Sequence, residues 1–258
     1  MLADDILEQT DDHSHFVQLY EADEGVLRKN VGKYLADGLA MGGGVIIVTT
    51  ATHKASFYAE LERRGWNLER LERNGRLTCL DAEDALARFL VDGYPDAERF
   101  DRAVGAVVRD AIIRAGSGGL RAYGEMVGVL WSRRQFPAAI RLEQLWNRLR
   151  NEVPFGLFCG YPIDVFGAHF DTPIVDALLC AHTHLLPSGA NGRLDAAVNR
   201  AMTEVFGSEN TRGLPPGRNE RAWASLPTAE ASILWLRSNE PEKADAVLTL
   251  AREYYQAI

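Results

Sequence analysis

Residues 15–50 read HFVQLYEADEGVLRKNVGKYLADGLAMGGGVIIVTT, and this stretch decides the fold. Its pattern predicts a strand, a loop, a helix with apolar residues at helical spacing, a glycine turn and a second strand. The continuous apolar run at residues 45–48 is typical of a parallel strand that is buried on both faces. The stretch therefore predicts the opening βαβ unit of a nucleotide-binding type of α/β fold.

The loop between the first strand and the helix departs from a phosphate-binding loop. A P-loop requires G-x-x-x-x-G-K-[ST] at this place, whereas residues 20–25 read YEADEG. This loop has one glycine, no lysine at the anchor position, and three carboxylates where phosphates would lie. Acidic side chains at a helix N-terminus complement the helix dipole and repel a polyphosphate. We therefore predict an NTPase-like framework with a degenerate P-loop, used for sensing rather than for hydrolysis.

The composition predicts an ordinary cytosolic protein. The chain has 258 residues, 47% hydrophobic and 25% charged, which suits one large domain or a domain with an appendage. Its net charge of −8 argues against a broad nucleic-acid surface. The three cysteines are far apart and lack C-x-x-C spacing, so we expect reduced thiols and no zinc site. Because the N-terminus is acidic and no long apolar run is present, we expect no signal peptide and no membrane span.

Alternating strands and helices predict a mostly parallel sheet of about five or more strands, with helices on both faces. Strands are expected over residues 16–20, 45–48, 76–80, 120–124 and 153–159, and helices over residues 136–150, 164–170 and 173–184, among others. Residues 1–14 are predicted to be a flexible acidic arm, and residues 15–186 the α/β domain. Residues 187–258 are predicted to be a helical C-terminal extension, in which Pro241 separates the last two helices.

Four segments, in their order and spacing, resemble a known family. They are HFVQLY with EADEG, VIIVTT, RAYGEM and LFCGYP, and together they resemble the MEDS sensory domain over about residues 15–184. The resemblance implies a RecA-like α/β fold related to circadian-clock-type ATPases, without the catalytic P-loop. It also implies an input role in signalling or transcription, through the sensing of small organic molecules. Family members often carry a histidine-kinase or helix-turn-helix output module, which residues 187–258 match poorly, so we expect the signal to pass to a partner protein.

Candidate ligand-binding residues follow from the sheet. The crevice of such a sheet lies at the carboxyl ends of its strands, where aromatic walls and a few polar anchors form a small-molecule pocket. The candidates at this edge are Tyr20, Glu21, Asp23, Thr50, His53, Tyr123, Glu125, Met126 and Tyr161. Glu125 leads as a ligand-anchoring carboxylate, and the alternative is a carboxylate that caps a helix or forms a salt bridge. We predict no catalytic residue, no cofactor and no metal ligand.

The remaining histidines give weaker signals. His15 begins a strand and is expected to be structural, as lone histidines usually are. His182 and His184 are two residues apart, a spacing that does not place both on one face of a helix, so we do not expect them to bind a metal ion.

Three functions remain open. The preferred one is a non-enzymatic sensory domain that binds a small organic ligand, with an apolar ligand as one option, and shifts between conformations that a signalling partner recognises. The first alternative is a nucleotide-binding, ATPase-like protein, which the lysine-free acidic loop disfavours. The second is a pure interaction module for a kinase or an anti-sigma partner. A homodimer is a further possibility, whereas contact with nucleic acid or membrane is not expected.

Overall fold

The computed structural model describes residues 3–20, 24–188, 192–207 and 227–257. The strands of these residues are β1 (His15–Tyr20), β2 (Gly44–Thr49), β3 (Leu77–Asp81), β4 (Leu90–Val91), β5 (Tyr94–Pro95), β6 (Leu120–Gly124), β7 (Gly156–Pro162) and β8 (His184–Leu186). They form a six-stranded sheet in the order β3-β2-β6-β7-β1-β8, with every pairing parallel. The short β4 and β5 form a separate antiparallel hairpin. The parallel α/β architecture confirms the predicted fold class.

Helices connect and cover the strands. They are α1 (Ala3–Leu7), α2 (Gly25–Ala40), α3 (Ala51–Arg63), α4 (Leu68–Arg73), α5 (Ala82–Phe89), α6 (Ala97–Phe100), α7 (Ala106–Ala115), α8 (Met126–Ser132), α9 (Phe136–Glu152), α10 (Thr172–Ala181), α11 (Arg193–Phe206), α12 (Thr228–Asn239) and α13 (Pro241–Ala257). Local sequence explains several starts; the Asp81 side chain, for example, accepts two backbone N–H groups at the start of α5. None of the described helices is both long enough and apolar enough to cross a membrane.

The sheet separates two hydrophobic cores. Alternate residues of β1 point to opposite sides, so Phe16 and Tyr20 pack under α1–α4 while Val17 and Leu19 pack under α5–α13. We call these sides the α2 face and the α9 face. Because both faces are covered, β2 is buried along its whole length and β7 is buried up to Tyr161, which explains their continuous apolar sequences.

The C-terminal extension packs against the α9 face. Its buried residues Leu194, Ile233 and Val247 belong to the same core as the sheet residues on that side. Arg237 donates hydrogen bonds to the carbonyl oxygens of Phe166 and Gly167, at 3.1 and 2.9 Å. The extension therefore shares its core with the α/β domain, and its last two helices divide at Pro241 as predicted.

Several local predictions were wrong. The helix predicted over residues 173–184 ends at Ala181, and its last predicted residue, His184, begins the edge strand β8, because pairing with β1 outweighs local helical preference. Residues 164–170 form turns rather than a helix, since the Asp164 side chain accepts the N–H of Phe166. β7 starts three residues later than predicted. The arm expected to be flexible contains α1, whose Ile6 and Leu7 are buried in the core of the α2 face.

Candidate functional site

A group of polar side chains lies at the carboxyl ends of β2 and β6. These strands are neighbours in the sheet, so Thr49 at the end of β2 lies beside Glu125, which directly follows β6. The Glu125 N–H extends the pairing by donating to the Val48 carbonyl at 2.9 Å. Strand pairing therefore fixes the backbone on which this site is built, and a site on rigid elements keeps its geometry.

The Glu125 carboxylate is buried but fully supplied with donors. Its side chain accepts from the Thr49 hydroxyl at 2.6 Å, the Thr50 N–H at 2.9 Å and His53 Nδ1 at 2.5 Å. Burial raises the pKa of Glu125, but the hydrogen bonds from His53 and Thr49 outweigh it and hold the pKa below its usual value. Glu125 is thus a carboxylate that stays ionised although only 4% of its surface is exposed.

His53 joins this buried carboxylate to a more exposed one. It lies in the first turn of α3, and its Nε2 is 2.7 Å from Glu24 Oε2 at the start of α2. Burial lowers the pKa of His53, but the two carboxylates outweigh it and raise the pKa to about 9. His53 is therefore an imidazolium that donates from both ring nitrogens. We call Glu24, His53 and Glu125 the triad.

Aromatic side chains pack beside the triad on the α2 face. The Tyr20 ring centroid lies 5.8 Å from that of His53, and the Phe57 ring packs between His53 and Tyr123. The Tyr123 hydroxyl is buried and finds no hydrogen-bond partner among the described residues. A Cβ on Gly160 would lie 2.7 Å from this hydroxyl, so the glycine leaves the room that Tyr123 occupies.

The structure sorts the predicted residues into three groups. Tyr20, Thr50, His53 and Glu125 come together, and Tyr123 lies behind them on the same face. Met126 and Tyr161 instead pack in the core of the α9 face. Glu21 and Asp23 lie outside the described residues. Thr49, which the sequence also places at the end of β2, belongs to the group. Glu24 of the YEADEG loop is the member that was not predicted, because it had no feature to distinguish it from its acidic neighbours.

A second polar group is buried on the α9 face. His15, Glu143, Cys159 and His182, which we call the quartet, place their ligand-type atoms within 4.8 Å of one another. Burial and the nearby His182 hold the pKa of His15 well below its usual range, and burial raises the pKa of the Cys159 thiol well above its own. No motif in the sequence indicated this group, because its members come from four distant segments.

A groove of about 330 Å³ lies apart from both groups, between α2 and the extension. Its walls include Lys29, Asn30 and Lys33 of α2, together with Thr228 and Glu230 of α12. The groove marks where α2, the helix that begins beside the triad, faces the C-terminal helices.

Comparison with protein families adds one finding. The family model described as "MEthanogen/methylotroph, DcmR Sensory domain", or MEDS, matches residues 14–183. The match contains β1 to β7, the triad and all members of the quartet, and it ends before the extension. No curated protein matches the chain.

Proposed function

The chain belongs to the MEDS family of sensory domains, and on this basis we propose that it binds a small organic ligand at the triad and signals this to a partner protein without catalysis. The observation that carries the proposal is the pairing of one imidazolium with two carboxylates at the carboxyl edge of the sheet. Ligands of open α/β sheets bind at this edge.

The two carboxylates of the triad differ in how easily they leave His53. Glu125 is buried and accepts hydrogen bonds from Thr49, Thr50 and His53, whereas the Glu24 side chain is 42% exposed and its only described contact is with His53. Replacing Glu24 by a ligand at His53 Nε2 therefore costs much less free energy than replacing Glu125 at Nδ1. We propose that the acceptor oxygen of a small alcohol, ketone or carboxylate replaces Glu24 there, with its apolar part against Tyr20.

Release of Glu24 provides a route for the signal. Glu24 immediately precedes α2, so its displacement acts on the start of a helix that packs against α3. The same helix lines the groove that it shares with α12. We propose that a ligand favours a conformation in which α2 and the extension present a changed surface to a signalling or transcription partner in the cytoplasm.

The absence of catalysis is part of the proposal. Support comes from the loop at residues 20–25, whose carboxylates oppose a polyphosphate and which lacks the P-loop lysine. The check is a phosphate-release assay with magnesium and ATP. Turnover that is lost when Glu125 is replaced would favour the ATPase-like alternative instead.

Ligand titration tests the binding site. Calorimetry with short alcohols, ketones and carboxylates should give saturable binding that His53→Gln abolishes and Tyr20→Ala weakens. Glu24→Ala should bind about tenfold more tightly, because the ligand no longer competes with a carboxylate for one hydrogen bond. The control is Asp37→Ala, which removes a similarly exposed carboxylate from α2, the helix that Glu24 precedes. Unchanged binding in His53→Gln would remove the triad from the site.

A further inference from the structure

The quartet has the composition and spacing of metal ligands. The distances are 3.4 Å from His15 Nε2 to Cys159 Sγ, 3.5 Å from His15 Nε2 to Glu143 Oε2, and 3.2 Å from His182 Nε2 to Glu143 Oε1. Ligand atoms around a four-coordinate zinc ion lie about 3.3–3.6 Å apart, given bonds of about 2.0–2.3 Å. The four side chains are therefore already close to the arrangement that such an ion requires.

Hydrogen bonds at the far side of each imidazole fix which nitrogen faces the quartet. His182 Nδ1 is 2.6 Å from the Leu178 carbonyl, which only accepts, so Nδ1 carries a proton and Nε2 is the nitrogen that faces the quartet. His182 Nε2 approaches Glu143 but makes no hydrogen bond with any described group. A metal ion between His182 Nε2 and Glu143 Oε1 would supply the partner that this buried nitrogen lacks.

His15 is held in the same way by Asn147. The Asn147 amide N–H donates to the Ala181 carbonyl at 2.7 Å, and Arg150 donates to its Oδ1, so Oδ1 is the acceptor that faces His15 Nδ1 at 3.1 Å. His15 Nε2 is thus the unprotonated ring nitrogen, and it faces Cys159 Sγ within the quartet at 3.4 Å. Metal-binding histidines characteristically donate their second N–H to a carbonyl or amide in this manner.

The Glu143 carboxylate is fixed as well. Tyr161, which lies two residues beyond Cys159 on β7, donates its hydroxyl to Glu143 Oε1 at 2.7 Å. A thiolate at Cys159 and the carboxylate at Glu143 would carry two negative charges between two neutral imidazoles. In an interior where these side chains are at most 1% exposed, a divalent cation is the charge that makes the group neutral.

We propose that His15, Glu143, Cys159 and His182 bind one divalent transition-metal ion of the zinc class. All four positions of a tetrahedron are filled by protein ligands and the site is buried, so the ion is structural or regulatory rather than catalytic. It joins β1, α9 and β7 to the segment between α10 and β8. The ion thereby holds the last strand before the C-terminal extension, and its loss loosens that connection.

The first experiment uses the unaltered full chain. Protein purified after growth with zinc should contain one zinc ion per chain by elemental mass spectrometry. After chelation, titration with Co²⁺ should saturate at one equivalent, with the visible bands of tetrahedral cobalt and a thiolate-to-cobalt charge-transfer band. A metal-free chain that gives no cobalt spectrum overturns the proposal.

Single-residue variants show which side chains bind the ion. Cys159→Ser should lose the charge-transfer band, whereas Cys180→Ser, which changes an exposed cysteine on α10, should keep it. Asn147→Ala should keep the spectrum but weaken cobalt affinity by about 10- to 100-fold, because His15 loses its orienting partner. Asn147→Ala decides the question even where Cys159→Ser fails to fold. A charge-transfer band that survives Cys159→Ser or disappears in Cys180→Ser shows adventitious surface binding and sinks the proposal.

Discussion

The triad and the quartet are both buried groups of histidine and carboxylate, but they satisfy their charges in opposite ways. In the triad every close contact contains a proton: His53 donates to Glu24 and to Glu125, and Thr49 donates to Glu125. In the quartet the Nδ1–H groups of His182 and His15 point away, toward the Leu178 carbonyl and Asn147, so that both Nε2 atoms face Cys159 and Glu143.

Exposure separates the two groups further. The triad ends in Glu24, a half-exposed side chain that can exchange with a ligand, whereas the quartet side chains are sealed in the core of the α9 face. An open end suits reversible sensing, and a closed set of ligands suits an ion that stays bound. Under both proposals, the hydrogen bonds around each histidine, rather than the residue types, decide whether the group takes a small molecule or a metal ion.

The largest expected effect is that of metal removal on stability. If the free metal concentration is about 1,000 times the dissociation constant of the quartet, chelation should lower the free energy of unfolding by about 4 kcal/mol. Urea denaturation with and without a chelator measures this difference. In Cys159→Ser the chelator should have no effect, and a chelator-insensitive wild type would remove the contrast between the two groups.

The second-largest expected effect on stability is that of removing the buried carboxylate of the triad. Glu125→Ala should lower the free energy of unfolding by about 3 kcal/mol, because it leaves His53 and Thr49 without their buried acceptor. Glu24→Ala, which removes the exposed carboxylate from the same histidine, should cost less than about 1 kcal/mol. Equal costs in the two variants, measured by urea denaturation, would contradict the asymmetry on which the exchange of Glu24 rests.

The triad also predicts a pH dependence with a definite sign. The pKa of His53 is raised to about 9 in the folded chain, against about 6.5 when unfolded, so its contribution is complete below pH 6.5 and is lost as pH rises through about 9. We expect a loss of about 2 kcal/mol across this window, discounted for screening at the exposed Glu24. Measurements of unfolding free energy from pH 6 to 10 should show the slope, and His53→Gln should remove it.

The triad was easier to predict from the sequence than the quartet for a physical reason. Strand ends are visible as breaks in apolar runs, and parallel strands align their carboxyl ends, so Thr50, His53 and Glu125 were placed at one edge in advance. His15 and Glu143 are 128 residues apart in the chain and meet only because α9 packs on β1 and β7. No rule on the spacing of metal ligands along a sequence predicts that contact.

Alternation along the strands explains the other differences. Tyr123 and Tyr161 both belong to strands next to the crevice, yet they lie in the cores of opposite faces. The sequence identified both as aromatic residues near strand ends, but assigning a face requires the register of β6 and β7 and the helices that cover each side. The six parallel strands were largely foreseen, and β8 was missed because an edge strand of three residues has too short a pattern to recognise.

The smallest expected effect concerns the unpaired hydroxyl of Tyr123 behind the triad. Gly160→Ala should lower the free energy of unfolding by about 1–2 kcal/mol, because the added Cβ lies 2.7 Å from the Tyr123 hydroxyl oxygen. Tyr123→Phe removes that oxygen, so the double variant should recover most of the loss. Alone, Tyr123→Phe should be neutral or slightly stabilising, since the buried hydroxyl has no described partner.

The same variant sharpens the comparison with the quartet. If the Tyr123 hydroxyl is reserved for the ligand, Tyr123→Phe should weaken ligand binding while it leaves folding and the bound metal unchanged. Thermal unfolding, ligand titration and metal content measured on one preparation separate these effects. A loss of metal in Tyr123→Phe would mean that the two faces of the sheet are not independent, whereas a loss of ligand alone would place the hydroxyl in the sensory site, because its ring packs only on the α2 face.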